Sequence, residues 1–124
     1  MIKILFIGIG GFIGAVMRYW ISGITYDKFG ISFPYGTFAV NIIGAFILGL
    51  LITLSETRFI LHPNLKIALT VGILGAFTTF STFCYETVAL MQTGDFYKAF
   101  LNIFLSLLVG IIAVLLGIKA GSYI

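Results

Sequence analysis

The sequence predicts an all-α membrane protein with four transmembrane helices, the third broken near its middle. Three observations carry this. First, 60% of the 124 residues are hydrophobic and only 9% are charged, whereas soluble domains carry roughly 25% charged residues. Such a chain cannot cover its surface with polar groups in water. Second, a transmembrane helix needs about 20 apolar residues, and four such stretches fit into this length with short loops: spans at about 4–21, 37–54, 65–91 and 99–118, forming a single transmembrane domain over 1–124. Third, the third stretch is longer than a straight crossing needs. Its middle reads Gly72-Ile-Leu-Gly75-Ala-Phe-Thr78-Thr79-Phe80-Ser81-Thr82-Phe83. Two glycines, two adjacent β-branched threonines and four hydroxyls within five positions are poor material for an uninterrupted helix in lipid.

The rest of the composition removes several function classes. A net charge of +3, spread along the chain, gives no basic patch for nucleic acid. A single cysteine, Cys84, forms no internal disulfide, and the lone His62 beside Pro63 makes no metal cluster. One His, one Cys and no acid–base pair in a pocket leave no catalytic set, so no enzyme activity is expected. Lys3 ahead of an apolar run invites comparison with a secretory signal, but no small-x-small cleavage site precedes a polar chain, and further apolar segments follow.

The first span carries Gly8, Gly10, Gly11 and Gly14, of which Gly10 and Gly14 form a G-x-x-x-G pair that admits another helix closely. Arg18-Tyr19-Trp20 ends it. There Arg18 reads as a structural anchor snorkelling to the interface, with the two aromatic rings at headgroup level. Residues 22–36 read as the first loop, punctuated by Ser22, Gly23, Gly30, Ser32 and Pro34. The second span brings Thr37 and Asn41 onto one face, four residues apart. Asn41 is costly in lipid unless hydrogen-bonded, and it serves either as interhelical glue or as a donor lining a polar path. Gly44, Ala45 and Gly49 supply close-packing positions. Ser55–Asn64 reads as the second loop.

The third span holds the interruption, near Gly75–Thr79, and then Glu86. Glu86 is either an interfacial carboxylate or a functional one, since acids at membrane depth are functional candidates by default. Gln92–Lys98 reads as the third loop. In the fourth span Asn102 and Ser106 lie one turn apart, and Gly110 and Gly117 extend their stripe, which faces protein rather than lipid.

Four spans put both termini and the second loop on one side. That side holds Lys3, Arg58, Lys66 and Lys119, and the other holds Arg18, Lys28 and Lys98. Orientation follows an excess of basic residues, and here there is almost none, so the chain is expected to insert both ways up. An antiparallel homodimer follows naturally, its two-fold axis in the membrane plane. Carbonyls freed at paired breaks would meet in a dry setting, where a small hard cation such as Na⁺ would relieve them. Phe80 and Phe83 share a helical face and alternate with Ser81 and Thr82. An aromatic edge is electropositive and can attract a small, partly dehydrated anion. Hydroxyl and amide N–H groups replace the rest of its water, and no mid-membrane lysine or arginine binds it too tightly to leave.

With these residues in place, the sequence resembles the Fluc/CrcB family of fluoride channels over nearly its whole length. The likeness rests on Gly10-Gly-Phe-Ile-Gly14-Ala-Val-Met-Arg18-Tyr, on Pro34-Tyr-Gly36-Thr37 with Asn41 and Gly44, and on Gly75-Ala-Phe-Thr78-Thr79-Phe80-Ser81-Thr82-Phe83 with Glu86. The ordered set is specific, above all the T-T-F-S-T-F run. The resemblance implies a dual-topology homodimer in the cell membrane with two antiparallel pores and a structural Na⁺ on its axis. It implies passive fluoride export with rejection of chloride, and hence fluoride resistance. HF enters as a neutral acid and dissociates in the cytoplasm, and an interior-negative potential drives the anion out with about 2.3 kcal/mol per 100 mV. By position, Phe80, Phe83 and Asn41 match pore residues, Ser106 matches a hydroxyl position of the fourth span, and Gly75 and Thr78 match the residues whose carbonyls hold Na⁺. Asn102 falls where some relatives have tyrosine, Ala76 where many have glycine, and Cys84 where serine is common. The rival reading is a small multidrug-type proton-coupled cation exporter, also a four-helix dual-topology dimer. Such exporters use an acid in the first span, which has none here; Glu86 is the only acid available to that reading, in the third.

Overall fold

The computed structural model describes residues 1–58 and 61–124, and every regular element among them is helical. Helix α1 (Ile2–Phe29) is followed by α2 (Tyr35–Thr57). The next crossing runs Pro63–Gln92 and is assembled from α3 (Pro63–Ile67), a π-helical stretch (Ala68–Leu74), α4 (Gly75–Phe77) and α5 (Phe80–Gln92). Helix α6 (Phe96–Tyr123) closes the chain. Four helical segments, Ile2–Phe29, Tyr35–Thr57, Pro63–Gln92 and Phe96–Tyr123, are long and apolar enough to cross a membrane.

The helices outrun the spans read from hydropathy. Residues 22–29 belong to α1 and not to a loop, which corrects the expectation for 22–36: only 30–34 is non-helical. Ser22 and Gly23 are unfavourable in a helix by at most about 1 kcal/mol each, and no proline interrupts the stretch. Gly30 ends it instead, at φ 86°, a left-handed conformation that only glycine adopts freely. At the next junction α2 continues to Thr57 and α3 starts at Pro63, so the loop expected over Ser55–Asn64 is shorter; Phe59 and Ile60 lie outside the described residues. His62 caps α3 through Nδ1, which accepts from the Asn64 N–H at 3.3 Å. Asp95 caps α6, accepting from the Lys98 N–H at 3.4 Å and pairing with the Lys98 ammonium at 3.1 Å.

Glycines decide which helices pair. Gly10 and Gly14 of α1 face the π-helical stretch; a Cβ on Gly10 would overlap the Ala68 carbonyl, and one on Gly14 the Ile73 carbonyl. On the other side of the bundle, Gly49 of α2 meets the Val114 carbonyl of α6, and Gly117 of α6 meets the Phe46 carbonyl of α2. Backbone approaches this close let van der Waals contact and weak Cα–H···O bonds hold helices together where lipid removes the hydrophobic drive. A small core of Val40, Leu74 and Phe77 sits between the two pairs, flanked by Ile21, Ile47, Leu48 and Leu51. Hydroxyls on the helices are satisfied locally: Thr25, Thr53 and Thr70 each donate to the carbonyl four residues back at 2.7–2.9 Å.

The helical ladder of the third crossing stops at Phe77 and restarts at Phe80. Thr78 (φ −88°, ψ 159°) and Thr79 (φ −150°, ψ 121°) are extended, whereas Gly75 is helical (φ −63°, ψ −35°). The interruption therefore belongs to the two threonines and not to the glycines before them.

Replacing Gly14 by leucine is expected to prevent the α1 contact and lower the unfolding temperature in detergent. Overpacking costs about 1–3 kcal/mol even where neighbours can shift, and here the obstacle is backbone. Gly23→Ala, with no atom within 4 Å of the new methyl, is expected to leave the unfolding temperature unchanged or raise it.

Candidate functional site

The site is built around two extended residues. Thr79 loses both helical partners, and one side chain replaces them. Asn41 Oδ1 accepts from the Thr79 N–H at 2.8 Å, and Asn41 Nδ2 donates to the Thr79 carbonyl at 3.0 Å. Thr79 then starts α5, its Oγ1 accepting from the Thr82 N–H at 3.2 Å, a standard N-cap. Thr78 is fitted against Gly44, where a Cβ would strike the threonine methyl.

Four backbone carbonyls, those of Gly75, Ala76, Phe77 and Thr78, are left without a helical donor. In an uninterrupted helix Gly75 would receive the Thr79 N–H and Thr78 the Thr82 N–H. Asn41 has taken the first and Thr79 Oγ1 the second. The Thr78 carbonyl accepts only a long contact from Arg18 Nη1, at 3.5 Å. Arg18, expected as an interfacial anchor, lies well inside α1, is half-buried and has its guanidinium turned toward the interruption.

Two cavities meet at Thr79. One, of about 440 Å³, is lined by Arg18, Ser22, Tyr26, Thr37, Thr82 and Glu86 among others. Here Glu86 Oε1 accepts from both the Tyr26 hydroxyl and the Thr37 hydroxyl, each at 2.9 Å, while Oε2 is buried without a partner. The other, of about 230 Å³, is lined by Asn41, Thr78, Thr79, Phe80, Phe83 and Ser106. The rings of Phe80 and Phe83 are 5.8 Å apart and tilted by 36°.

The sequence-predicted residues therefore divide. Phe80, Phe83, Asn41 and Ser106 come together, whereas Thr37, Glu86 and Thr82 gather in the neighbouring cavity with Arg18. Ser81 lines neither; it is exposed, within 3.4 Å of Thr79 Oγ1. Gly75 and Thr78 sit beside each other at the interruption, both bordering a further cavity with Asn41 and Gly44. Two participants escaped the sequence reading. Thr79 looked like one more hydroxyl in a run. Tyr26 lay in a supposed loop, yet Arg18, Ser22 and Tyr26 follow a four-residue spacing that a continued helix would have placed on one face.

The family comparison points the same way. Residues 5–118 match the family described as CrcB-like protein, Camphor Resistance (CrcB). The chain belongs to the CrcB-like family. Its relatives are similar from end to end. The chain is 48% identical over 124 residues to a protein of Geotalea daltonii named fluoride-specific ion channel FluC, covering all of both chains. It is 49% identical over 117 residues to fluoride-specific ion channel FluC 1 of Methanosarcina acetivorans, covering 94% of this chain and 88% of that one. A FluC of Shewanella woodyi is 50% identical over 117 residues, covering 94% of each. As a CrcB-like protein the chain is a multi-pass membrane protein, in keeping with its four apolar crossings.

Asn41→Leu tests how far this CrcB-like chain depends on the amide clamp. It keeps the shape and strands both polar groups of Thr79, and each buried group left unpaired costs about 1–3 kcal/mol. A loss of roughly 2–6 kcal/mol in unfolding free energy is expected, read by denaturant titration in detergent; Thr25→Val, which removes only a local hydroxyl bond, serves as the mild comparison.

Proposed function

We propose that this protein is a fluoride-selective ion channel of the cell membrane, exporting fluoride passively as an antiparallel homodimer of dual topology. The names of its relatives supply the ion. The observation that carries the reading is the cavity in which Phe80, Phe83, Asn41 and Ser106 converge beside an interruption in a membrane-crossing helix. It offers ring edges, a hydroxyl and the second N–H of the Asn41 amide, the first being held by Thr79. The ring edges and the amide N–H, and the hydroxyl once it turns from Asn102, are donors without a net charge, which can replace part of the water of a small anion and still release it. Arg18, in the adjoining cavity, supplies the attraction that brings an anion to the entrance. Thr37 and Tyr26 hold the Glu86 carboxylate by hydrogen bonds, which tempers its repulsion.

A second copy is supported by what one chain leaves uncovered. Ser81 and Thr82 are exposed at the start of α5, and Phe80 is 76% exposed. Hydroxyls in the middle of a crossing need protein or water against them. We assign the opposed copy as their cover, with two antiparallel pores and the interruption at Thr78–Thr79 acting as the functional break of the third helix.

The interruption also fits a structural Na⁺. The carbonyls of Gly75 and Thr78 have lost their helical donors, and a hard cation takes oxygen ligands. Two carbonyls are few for such an ion, so a site on the dimer axis would draw the same pair from each chain. The ion would neutralise four carbonyl dipoles that otherwise oppose one another; the chain's own part is to hold those carbonyls in place through Asn41 and the Thr79 cap.

The test is efflux from liposomes loaded with potassium fluoride, with valinomycin carrying the counter-ion. Fast fluoride release and no chloride release are expected. Phe80→Ile and Phe83→Ile should each slow release at least about tenfold, the factor corresponding to 1.4 kcal/mol, with the dimer intact by size-exclusion chromatography. Unchanged release in both would remove the pore assignment. Release of a cationic dye in place of fluoride, abolished by Glu86→Gln, would instead establish an exporter.

A further inference from the structure

The hydrogen bonds behind Ser106 run in one direction. Thr87 has a single hydroxyl proton and donates it to the Phe83 carbonyl at 2.8 Å. Its oxygen can then only accept, so the nitrogen of the Asn102 amide is the end that faces it, at 2.9 Å. Asn102 Oδ1 is thereby turned toward Ser106. An amide oxygen only accepts, so Ser106 Oγ donates to it, at 3.4 Å. Asn102 is 1% exposed, leaving no water to take over any of these bonds. The Ser106 proton is therefore aimed out of the cavity that Ser106 shares with Phe80, Phe83 and Asn41, and the serine presents lone pairs to that cavity.

An anion in the cavity needs the opposite orientation. Ser106 must rotate its hydroxyl, leave Asn102 Oδ1 without a donor, and turn its proton inward. A donor–acceptor distance of 3.4 Å lies at the long, weak end for a hydroxyl donor, so the exchange has a modest penalty. We propose that Asn102 is a positioning residue that competes with the anion for the Ser106 proton and so sets how weakly the cavity holds fluoride. The proposal rests on the channel reading. On entry the hydroxyl turns to the ion; on exit it returns to Asn102. The device weakens binding without adding a negative charge, which a conducting site requires.

The experiment measures fluoride current against fluoride concentration in planar bilayers. Leucine has the branching of asparagine and valine that of threonine, so Thr87→Val/Asn102→Leu removes the buried pair together and leaves only the Ser106 hydroxyl, which lines the cavity, without its partner. It is expected to fold and to lower the half-saturating fluoride concentration about threefold to tenfold, the range of one net hydrogen bond. Thr87→Val alone removes the acceptor that fixes the Asn102 amide, so half-saturation should move in the same direction by no more than in the double variant. On a Ser106→Ala background the double change should produce no shift, a result that loosened packing would not give. The proposal is overturned if half-saturation is unchanged in the double variant or if the shift survives in Ser106→Ala. A wild-type protein that passes no fluoride would overturn the channel reading itself, and this inference with it.

Discussion

Everything in the molecule follows from the pairing of one side-chain amide with one backbone residue. Thr79 is extended inside a crossing where no neighbouring strand is at hand, and Asn41 meets both its N–H and its carbonyl. Unpaired, those two groups would each cost about 1–3 kcal/mol, more than a weakly packed bundle can absorb. With them satisfied, the chain can stop a helix at Phe77, run two residues of extended backbone and start again at Phe80. The fold is otherwise arranged to make that pairing possible. Gly44 lets Thr78 approach α2, and Gly10 and Gly14 let the π-helical stretch lie against α1, so that the interruption meets Asn41 in register.

The interruption reorganises charge as well as backbone. It frees the carbonyls of Gly75 and Thr78, and the guanidinium of Arg18 turns inward to one of them. On the same cavity the carboxylate of Glu86 is held by Tyr26 and Thr37, away from Phe80 and Phe83. Arg18 and the hydrogen-bonded carboxylate of Glu86 share one cavity, while the cavity of Phe80, Phe83, Asn41 and Ser106 carries no formal charge. A site without formal charge is compatible with the fast passage proposed above, since a charged partner would hold the ion.

Much of this was legible in residue order. The number of crossings, their short loops and the disturbed third segment follow from composition and from the run Thr78-Thr79-Phe80-Ser81-Thr82-Phe83. The same run carried the resemblance that the family match later established. The reading went astray where local chemistry was weak. Ser22 and Gly23 resemble a loop by composition, yet packing of Tyr26 against Gly36 and its bond to Glu86 keep α1 helical to Phe29. Arg18 next to Tyr19 and Trp20 reads as an interfacial girdle, and nothing in its neighbours announces the contact with a carbonyl sixty positions away.

The sequence by itself determined the class of the protein, because hydropathy and the rarity of charge are sums over residues and need no coordinates. It also determined which residue types lie at mid-membrane, since each must be paired there or be costly. Only the tertiary structure decided the pairings. Whether Asn41 is glue or pore lining, whether Arg18 reaches headgroups or a backbone carbonyl, and which way the amide of Asn102 faces all depend on contacts between segments far apart in the chain. A hydrogen bond is directional over a few ångströms, and no periodicity along one helix reports what the facing helix presents to it.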